Sequence, residues 1–487
     1  MLFIQSTSLA LTLDEGERLR LLDSLAARGH APLIRSARRR FFQLLVERGA
    51  GAESAASAEE LEHVCAAQQG SKGQAPYAPG ELFCAGDCVL FLVFGGSAEE
   101  GVCAGIVYSV ETAGPLAKLD RFCRDVRESL IDSKGGSPID IKEGEGVAEA
   151  SEPPSGLPSW QMRGRGLRQG LARFIAIQPA EHVRAGAAIR GGRELARASE
   201  LMEEHPVRMF LRRAQEMRRE GYTPRRLFAE AGALGVSVEK MLDAGLLEPE
   251  VRVSCRKSGH ALFDLPSPDS LAAITISRAK CSQCAAPVAD EVIEETVNPT
   301  RLAVSLLEDG RWLTNRVYRI VRSLGIPESE IATGPATPHG ESYLSADVCG
   351  NSFLFVTRDG DLTPAFCRRA AEIVEETEAA HLVVVITGSA EDEGRLRLYE
   401  FAWRRARDGR DLGITIIEGL GGARAHFKRA FESAVQRELS RNLFTLDAAL
   451  GFSASNFVLD WFKSVKASGS TSREADAPAR VGVGSRR

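Results

Sequence analysis

The chain has 487 residues, of which 44% are hydrophobic and 26% charged, and its formal net charge is −5. This composition is that of a folded chain of about three domains, and it excludes a protein coated along its length in nucleic acid while leaving room for a local basic face. No apolar run reaches the roughly twenty residues of a membrane span, so none is predicted.

The opening residues, MLFIQSTSLALTLDEGE, carry no basic stretch and run straight into acids, so they do not read as a signal peptide. Ten cysteines without such a signal point to a reducing compartment, and a cytoplasmic location is expected. Residues 14–28 and 31–49 have the apolar spacing of two helices. Leu19, Leu21, Leu22 and Leu25 fall on one side of the first. The second carries Arg35, Arg38, Arg39, Arg40 and Arg48, read as a solvated basic face.

From Gly80 the period changes. FCAGDCVLFLVFGG and GVCAGIVYSV are apolar runs on either side of a Ser-Ala-Glu-Glu turn, which predicts a β-hairpin. A helix over 116–130 follows, with Leu119, Phe122, Val126 and Leu130 on one side. Residues 1–132 therefore read as an α+β module. It has no phosphate loop, nucleophile elbow or paired acids, so its expected role is structural or in binding a protein partner. Cys65, Cys84, Cys88, Cys103, Cys123, Cys349 and Cys367 sit mostly in apolar surroundings and read as small core residues. Residues 133–166, rich in Gly, Pro, Ser and Glu, read as a linker.

Residues 167–250 are expected to be mostly helical. HPVRMFLRRAQEMRREG is an amphipathic helix, and Thr223-Pro224 is the cap and first position of another. Pro224 to Ala231, a turn over Gly232 to Gly235, and a helix from Val236 follow. The sequence VSVEKMLDAGLLEPEVRVSC resembles the end of a winged helix-turn-helix, where the second helix gives way to a β-wing. That resemblance implies contact with DNA or RNA. Its candidate phosphate-binding groups are Arg212, Arg213, Arg218, Arg219, Arg225 and Arg226, with Lys240 on the second helix. The second helix offers only Ser237, Glu239 and Lys240, which is poor equipment for reading bases.

The stretch from Val251 to Val288 holds Cys255, His260, Cys281 and Cys284. Two thiolates of a CxxC turn reach one ion, and a second pair about twenty residues upstream completes the tetrahedral set that zinc takes. Four protein ligands leave no open position, so the zinc expected over residues 251–290 is structural. The alternative is two buried cysteines and an unrelated histidine.

After this ribbon, Asn298 to Leu324 reads as a helix. SYLSADVCG and SFLFVTRDG follow as strands with a turn at Gly350-Asn351. TPAFCRRAAEIVEETEAA is then a helix and HLVVVITG a buried strand. RLRLYEFAWRRARDG is a helix, LGITIIEG a strand and Ala423 to Asn442 a helix. Residues 467–487 have no hydrophobic pattern and are expected to be disordered. His339, His381 and His426 have no spaced partner, and His381, which opens a buried strand, reads as a capping or packing residue.

The block from about 297 to 440, within a domain drawn over 297–466, resembles the restriction-endonuclease-like PD-(D/E)XK fold. In that family a first-strand aspartate and a second-strand acid hold a divalent ion such as Mg²⁺, and a lysine two positions on helps activate water. Asp347 takes the first position. Val356-Thr357-Arg358 stands where Glu-x-Lys is expected; valine binds no metal, and arginine stays protonated. Asp359 and Glu372 are the acids placed to substitute.

The expectation is a multidomain α/β and α+β protein: an N-terminal module, a winged-helix-like region, a zinc ribbon and a nuclease-like domain without catalysis. Its expected function is nucleic-acid-associated binding or scaffolding. The alternatives are an active metal-dependent nuclease using Asp347 and a displaced acid, and a protein-interaction subunit without nucleic-acid contact.

Overall fold

A computed structural model describes residues 1–11, 13–47, 79–95, 101–133, 160–163, 169–177, 193–220, 224–266, 270, 280–287, 291–308, 310–337, 340–450 and 453–474. Most of the expected linker, the end of the tail, Cys65 and His339 lie outside them. The chain divides into two units, one of residues 1–167, 348–350 and 430–487, the other of residues 168–347 and 351–429. The described residues form fifteen α-helices and three sheets.

In the first unit the order is β1 (Leu2–Leu9), α1 (Glu15–Ala27), β2 (Ala31–Pro32), α2 (Leu33–Glu47), β3 (Gly80–Cys84), β4 (Cys88–Phe94), β5 (Val102–Ser109), α3 (Pro115–Ser133) and β6 (Gln161–Arg163). The strands lie as β2-β3-β4-β5-β1-β6, and neighbours run antiparallel. Helices α1 and α3 bury Leu21, Leu22, Leu25, Leu119, Phe122, Val126 and Leu130 against Leu90, Leu92 and Phe94 of β4, as the helical spacing predicts. A capping box starts α1: Asp14 Oδ1 accepts the Glu17 N–H at 2.8 Å, and Glu17 Oε2 accepts that of Asp14 at 2.9 Å.

Three features of this sheet depart from the sequence reading. The run FCAGDCVLFLVFGG is two strands, broken by a turn in which Gly86 adopts φ 71°. Residues 2–9 form a strand inside the sheet, paired to β5 from Leu2↔Ser109 to Leu9↔Val102. Gln161–Arg163, placed in the linker, pair with Ser6–Ser8 as an edge strand.

The second unit contains α4 (Gln169–Ala176), α5 (Arg193–Leu201), α6 (His205–Glu220), α7 (Pro224–Leu234), α8 (Val238–Asp243), β7 (Leu247–Cys255), β8 (Ala261–Leu265) and β9 (Glu291–Pro299). It continues with α9 (Arg301–Glu308), α10 (Arg311–Ser323), β10 (Ile331–Ala336), β11 (Glu341–Val348), β12 (Asn351–Arg358), α11 (Pro364–Thr377), β13 (His381–Ile386), α12 (Asp392–Arg407), β14 (Gly413–Glu418) and the start of α13 (Ala423–Asn442). Strands β8-β7-β9 make an antiparallel sheet. Strands β10 to β14 lie in chain order; β10–β11 is antiparallel, and β12–β13 and β13–β14 are parallel.

All six residues of β13 are buried, as its unbroken apolar run requires. Phe366, Ala370 and Val374 of α11 and Leu398 of α12 pack on this sheet together with Phe174 of α4. His381 stacks on Phe353 with ring centroids 4.2 Å apart, the packing role read for it. Strand β10 was not predicted. It is an edge strand with a bulge between Thr333 and Ala336, a place that tolerates Pro335.

The helix expected over 298–324 is two helices. Asn298 belongs to β9, and Gly310 at φ 62° stands between α9 and α10. The β11–β12 turn sits on Cys349-Gly350, not on Gly350-Asn351; their successive positive φ values, 53° and 80°, are those of a type I′ hairpin turn. From residue 430 the chain belongs to the first unit. There α14 (Phe444–Leu450) packs on β4, and α15 (Ala454–Glu474) continues into the segment expected to be disordered. No described helix is long and apolar enough to cross a membrane.

Candidate metal centre

Strand β7 ends in Cys255, the chain turns through Arg256 to Gly259, and β8 returns from Ala261. Cross-strand pairing sets this hairpin's register, and Arg252 is bound to its partner Asp264 at 2.8 Å. The turn closes with two backbone bonds: Gly259 N–H to Cys255 O at 2.8 Å, and Cys255 N–H to His260 O at 2.8 Å.

A second turn begins at Cys281 and closes in the same way. Ala285 N–H donates to Cys281 O at 2.9 Å, and Cys281 N–H to Ala286 O at 2.8 Å. Gly259 at φ 71° and Ala285 at φ 55° hold the same left-handed position. The N–H groups aimed at sulfur correspond too: those of Lys257 and Ser258 on Cys255, and those of Gln283 and Cys284 on Cys281.

The two turns bring three sulfurs together. Sγ of Cys255, Cys281 and Cys284 all lie within 4.8 Å of one another, and Cys255 and Cys284 are 3.5 Å apart. Tetrahedral zinc with bonds of about 2.3 Å to sulfur places its donors about 3.8 Å apart. A disulfide needs about 2.0 Å, and the three cysteines are free thiols. Among the described residues this is the one group of three or more metal-ligating side chains. The sulfurs suit a borderline-soft ion such as zinc.

The electrostatics separate Cys255 and Cys281 from the buried core cysteines. Hydrogen bonds from the Ser258 side chain, then from the backbone of Cys284 and Gln283, hold the Cys281 thiol down to about 6. The Ser258 hydroxyl and N–H lower Cys255 as well. Cys284 goes the other way: the Ala286 N–H pulls it down, but burial and the neighbouring thiols outweigh that bond. By contrast, burial pushes Cys88 and Cys367 up to about 11 and Cys123 up to about 12, as inert core thiols.

The predicted ligand set is only partly assembled. His260 is half-buried and is not a member of the sulfur group. Counted from each leading cysteine, it occupies the place of Ala286, where the backbone carbonyl closes the turn. The residue that sequence reasoning passed over is Ser258, whose Oγ stands 3.5 Å from Cys281 Sγ. Its signal was present: Cys255-Arg-Lys-Ser258 has the spacing of Cys281-Ser-Gln-Cys284.

Of the predicted phosphate-binding groups, four face carboxylates. Arg212 is paired with Asp359, Arg213 with Glu216 at 3.0 Å, Arg218 with Glu250 at 3.3 Å and Arg225 with Glu294 at 3.8 Å. Arg219, Arg226 and Lys240 are exposed, with no acidic partner among the described residues. The same holds for Arg256, Lys257 and Lys280, which flank the sulfur cluster.

Asp347, Asp359 and Glu372 form no metal-ligating group. Asp347 is buried on β11, and Glu372 is exposed on α11. Asp359 faces Arg208 and Arg212 and accepts the Thr387 hydroxyl at 2.7 Å. Arg358, in the expected lysine position, lies 3.4 Å from the fully buried Glu341, which Arg369 and the Tyr343 hydroxyl also hold.

Compared with protein-family models, with curated proteins and with solved structures, the chain gives no match.

Proposed function

We propose that this chain is a nucleic-acid-associated binding or scaffold protein, in which a structural zinc ion fixes a wing that follows a winged-helix-like pair of helices. The support is the order α7, turn, α8 and the β7–β8 hairpin, with the cluster of Cys255, Cys281 and Cys284 at the end of that hairpin. Those three residues hold the ion as thiolates, and the ion joins the hairpin tip to the 280–287 turn.

One observation carries the nucleic-acid part. Arg256, Lys257 and Lys280 are exposed on the two metal-holding turns without acidic partners among the described residues, whereas Arg212, Arg213, Arg218 and Arg225 are engaged by carboxylates. The phosphate contact is thus assigned to the wing tip, with Arg219, Arg226 and Lys240 as secondary groups.

The 301–429 block supports the nuclease-like resemblance in its element order: helix, hairpin, helix and buried strand. Its acids support a non-catalytic reading, since Asp359 is taken up by arginines and Arg358 by Glu341. A second reading, a protein-interaction subunit, is favoured by Leu396, Tyr399 and Trp403, which lie at i, i+3 and i+7 on α12 and are more than half exposed.

Fluorescence anisotropy with labelled single- and double-stranded DNA and RNA, over a series of salt concentrations, tests the first reading. Binding should weaken with salt, and charge reversal at Arg256, Lys257 and Lys280 should flatten the log–log slope by about 0.9 for each duplex phosphate that is no longer neutralised. Salt-insensitive or absent binding by the zinc-loaded chain would leave the interaction reading in its place.

A further inference from the structure

The two metal-holding turns match bond for bond, yet they carry different donors. The second contributes two sulfurs, Cys281 and Cys284; the first contributes one sulfur, Cys255, and a hydroxyl, Ser258. The correspondence extends to the second donor of each turn. His260 N–H points at Ser258 Oγ at 3.4 Å, as Ala286 N–H points at the Cys284 sulfur. Ser258 Oγ is 3.5 Å from Cys281 Sγ, the same separation as between Cys255 and Cys284, and it also contacts the other two sulfurs. Three sulfurs and this oxygen thus gather in one cluster, and four is the number of donors that tetrahedral zinc takes.

We propose that Ser258 marks the fourth coordination position of this centre, so that a bound zinc ion is held by Cys255, Cys281 and Cys284 and by a neutral oxygen, from the Ser258 hydroxyl or from water. That position then exchanges with small external donors such as imidazole or a low-molecular-weight thiol. This inference rests on the metal-binding reading above.

The chemistry follows from the donor set. A neutral hydroxyl is a weaker partner for a borderline-soft ion than a thiolate. Zinc sites with four strong protein ligands are closed, whereas three such ligands leave a place for water or another small molecule. His260 does not supply the missing donor. Its N–H and carbonyl take part in the turn, and its ring nitrogens are not among the clustered ligand atoms.

The experiment is cobalt substitution of the full-length chain, with absorption spectra of the wild type and of the S258C, S258A and H260A variants. Zinc affinity is read alongside by competition with a chromogenic chelator. Wild type should show the thiolate charge-transfer and visible bands of tetrahedral cobalt, and imidazole should shift the visible bands. S258C should strengthen the charge-transfer band, abolish the imidazole response and tighten zinc by about tenfold or more, the scale on which changes around a metal alter its affinity. S258A should keep the three-thiolate spectrum and the imidazole response, and H260A should leave every reading unchanged.

Loss of the tetrahedral bands in H260A, or an S258C spectrum identical to wild type, would overturn the assignment of Ser258 while the metal site stands. A wild-type imidazole response of zero would overturn the exchangeable position. No cobalt bands in wild type would overturn the metal-binding reading, and this inference with it.

Discussion

Arg208 Nε stands 3.4 Å from Asp359 Oδ1, and both side chains are almost fully withdrawn from solvent. Arg208 also donates to the carbonyls of Met202 at 2.7 Å and Glu203 at 2.9 Å, and its guanidinium lies over Trp312 at 4.6 Å. Asp359 thus supplies the counter-charge of a buried guanidinium on α6. Asp359→Ala leaves that charge uncompensated and should lower unfolding stability by about 3 kcal/mol. Arg212→Ala removes a half-exposed partner of the same acid and should cost less than about 1 kcal/mol. Urea unfolding of the two variants checks the ratio; equal small losses would remove Asp359 from this role.

The large apolar periodicities of this chain were legible before the structure. The 3.6-residue spacing on α1 and α3 and the unbroken run of β13 gave their elements and their buried faces. What was not legible depended on partners distant in sequence. Residues 2–9 become a strand because β5 and β6 flank them, and Gln161–Arg163 because Ser6–Ser8 offer an edge. In the metal centre, CxxC spacing points to the sulfurs, but a serine is not among the usual zinc ligands, so the sequence does not single out Ser258. The correspondence shows in the turn geometry: the backbone bonds that fix residues 281 and 284 fix residues 255 and 258 alike. The arginines of α6 and α7 looked available because their carboxylate partners, Asp359, Glu250 and Glu294, lie on other elements.

Gly105 faces Phe91 directly across the β4–β5 ladder. A Cβ at Gly105 would lie 2.1 Å from the Phe91 ring, which is fully buried and has no room to swing away. Gly105→Ala should therefore destabilise the first unit by about 1–3 kcal/mol through overpacking. Phe91→Leu costs stability by itself, but it should make the Gly105→Ala change nearly silent. A double-mutant cycle measured by thermal unfolding reads this coupling, and strict additivity would contradict the contact.

Glu81 is buried on β3 and caps α2 from outside the helix. Its carboxylate accepts the N–H groups of Ile34 at 2.7 Å, Leu82 at 2.8 Å and Arg35 at 3.1 Å. Burial raises its pKa above the ordinary glutamate value despite those bonds. The folded state then keeps a proton that the unfolded chain has released, so this group's contribution falls as pH rises from about 4.3 through the raised value. Glu81→Gln has no such titration. Its stability relative to wild type should improve across that window and be flat below and above it, as read from denaturation midpoints at a series of pH values. Glu81→Ala, which strands three donors, should lose about 1–3 kcal/mol at every pH.

Metal removal is expected to act locally. An ion held by the three sulfurs would tie the β7–β8 tip to the 280–287 turn, whereas the backbone bonds and the Lys280–Pro287 bridge close each turn only within itself. Chelation, or Cys281→Ser, should speed amide exchange at Cys255, Gly259, Cys281 and Ala285, whose N–H groups close the two turns. The parallel β12–β13 ladder, whose β13 strand is buried through its length, should keep its protection in the same samples. Exchange that rises equally in both places would mean that the ion supports the fold of the whole second unit; exchange unchanged in both would mean that the sulfur cluster holds no ion that matters to the wing. The expected pattern lies between, because the contacts that set β7 against β9 run from Leu247↔Pro299 to Cys255↔Glu291, and only the last of them includes a residue of the sulfur cluster.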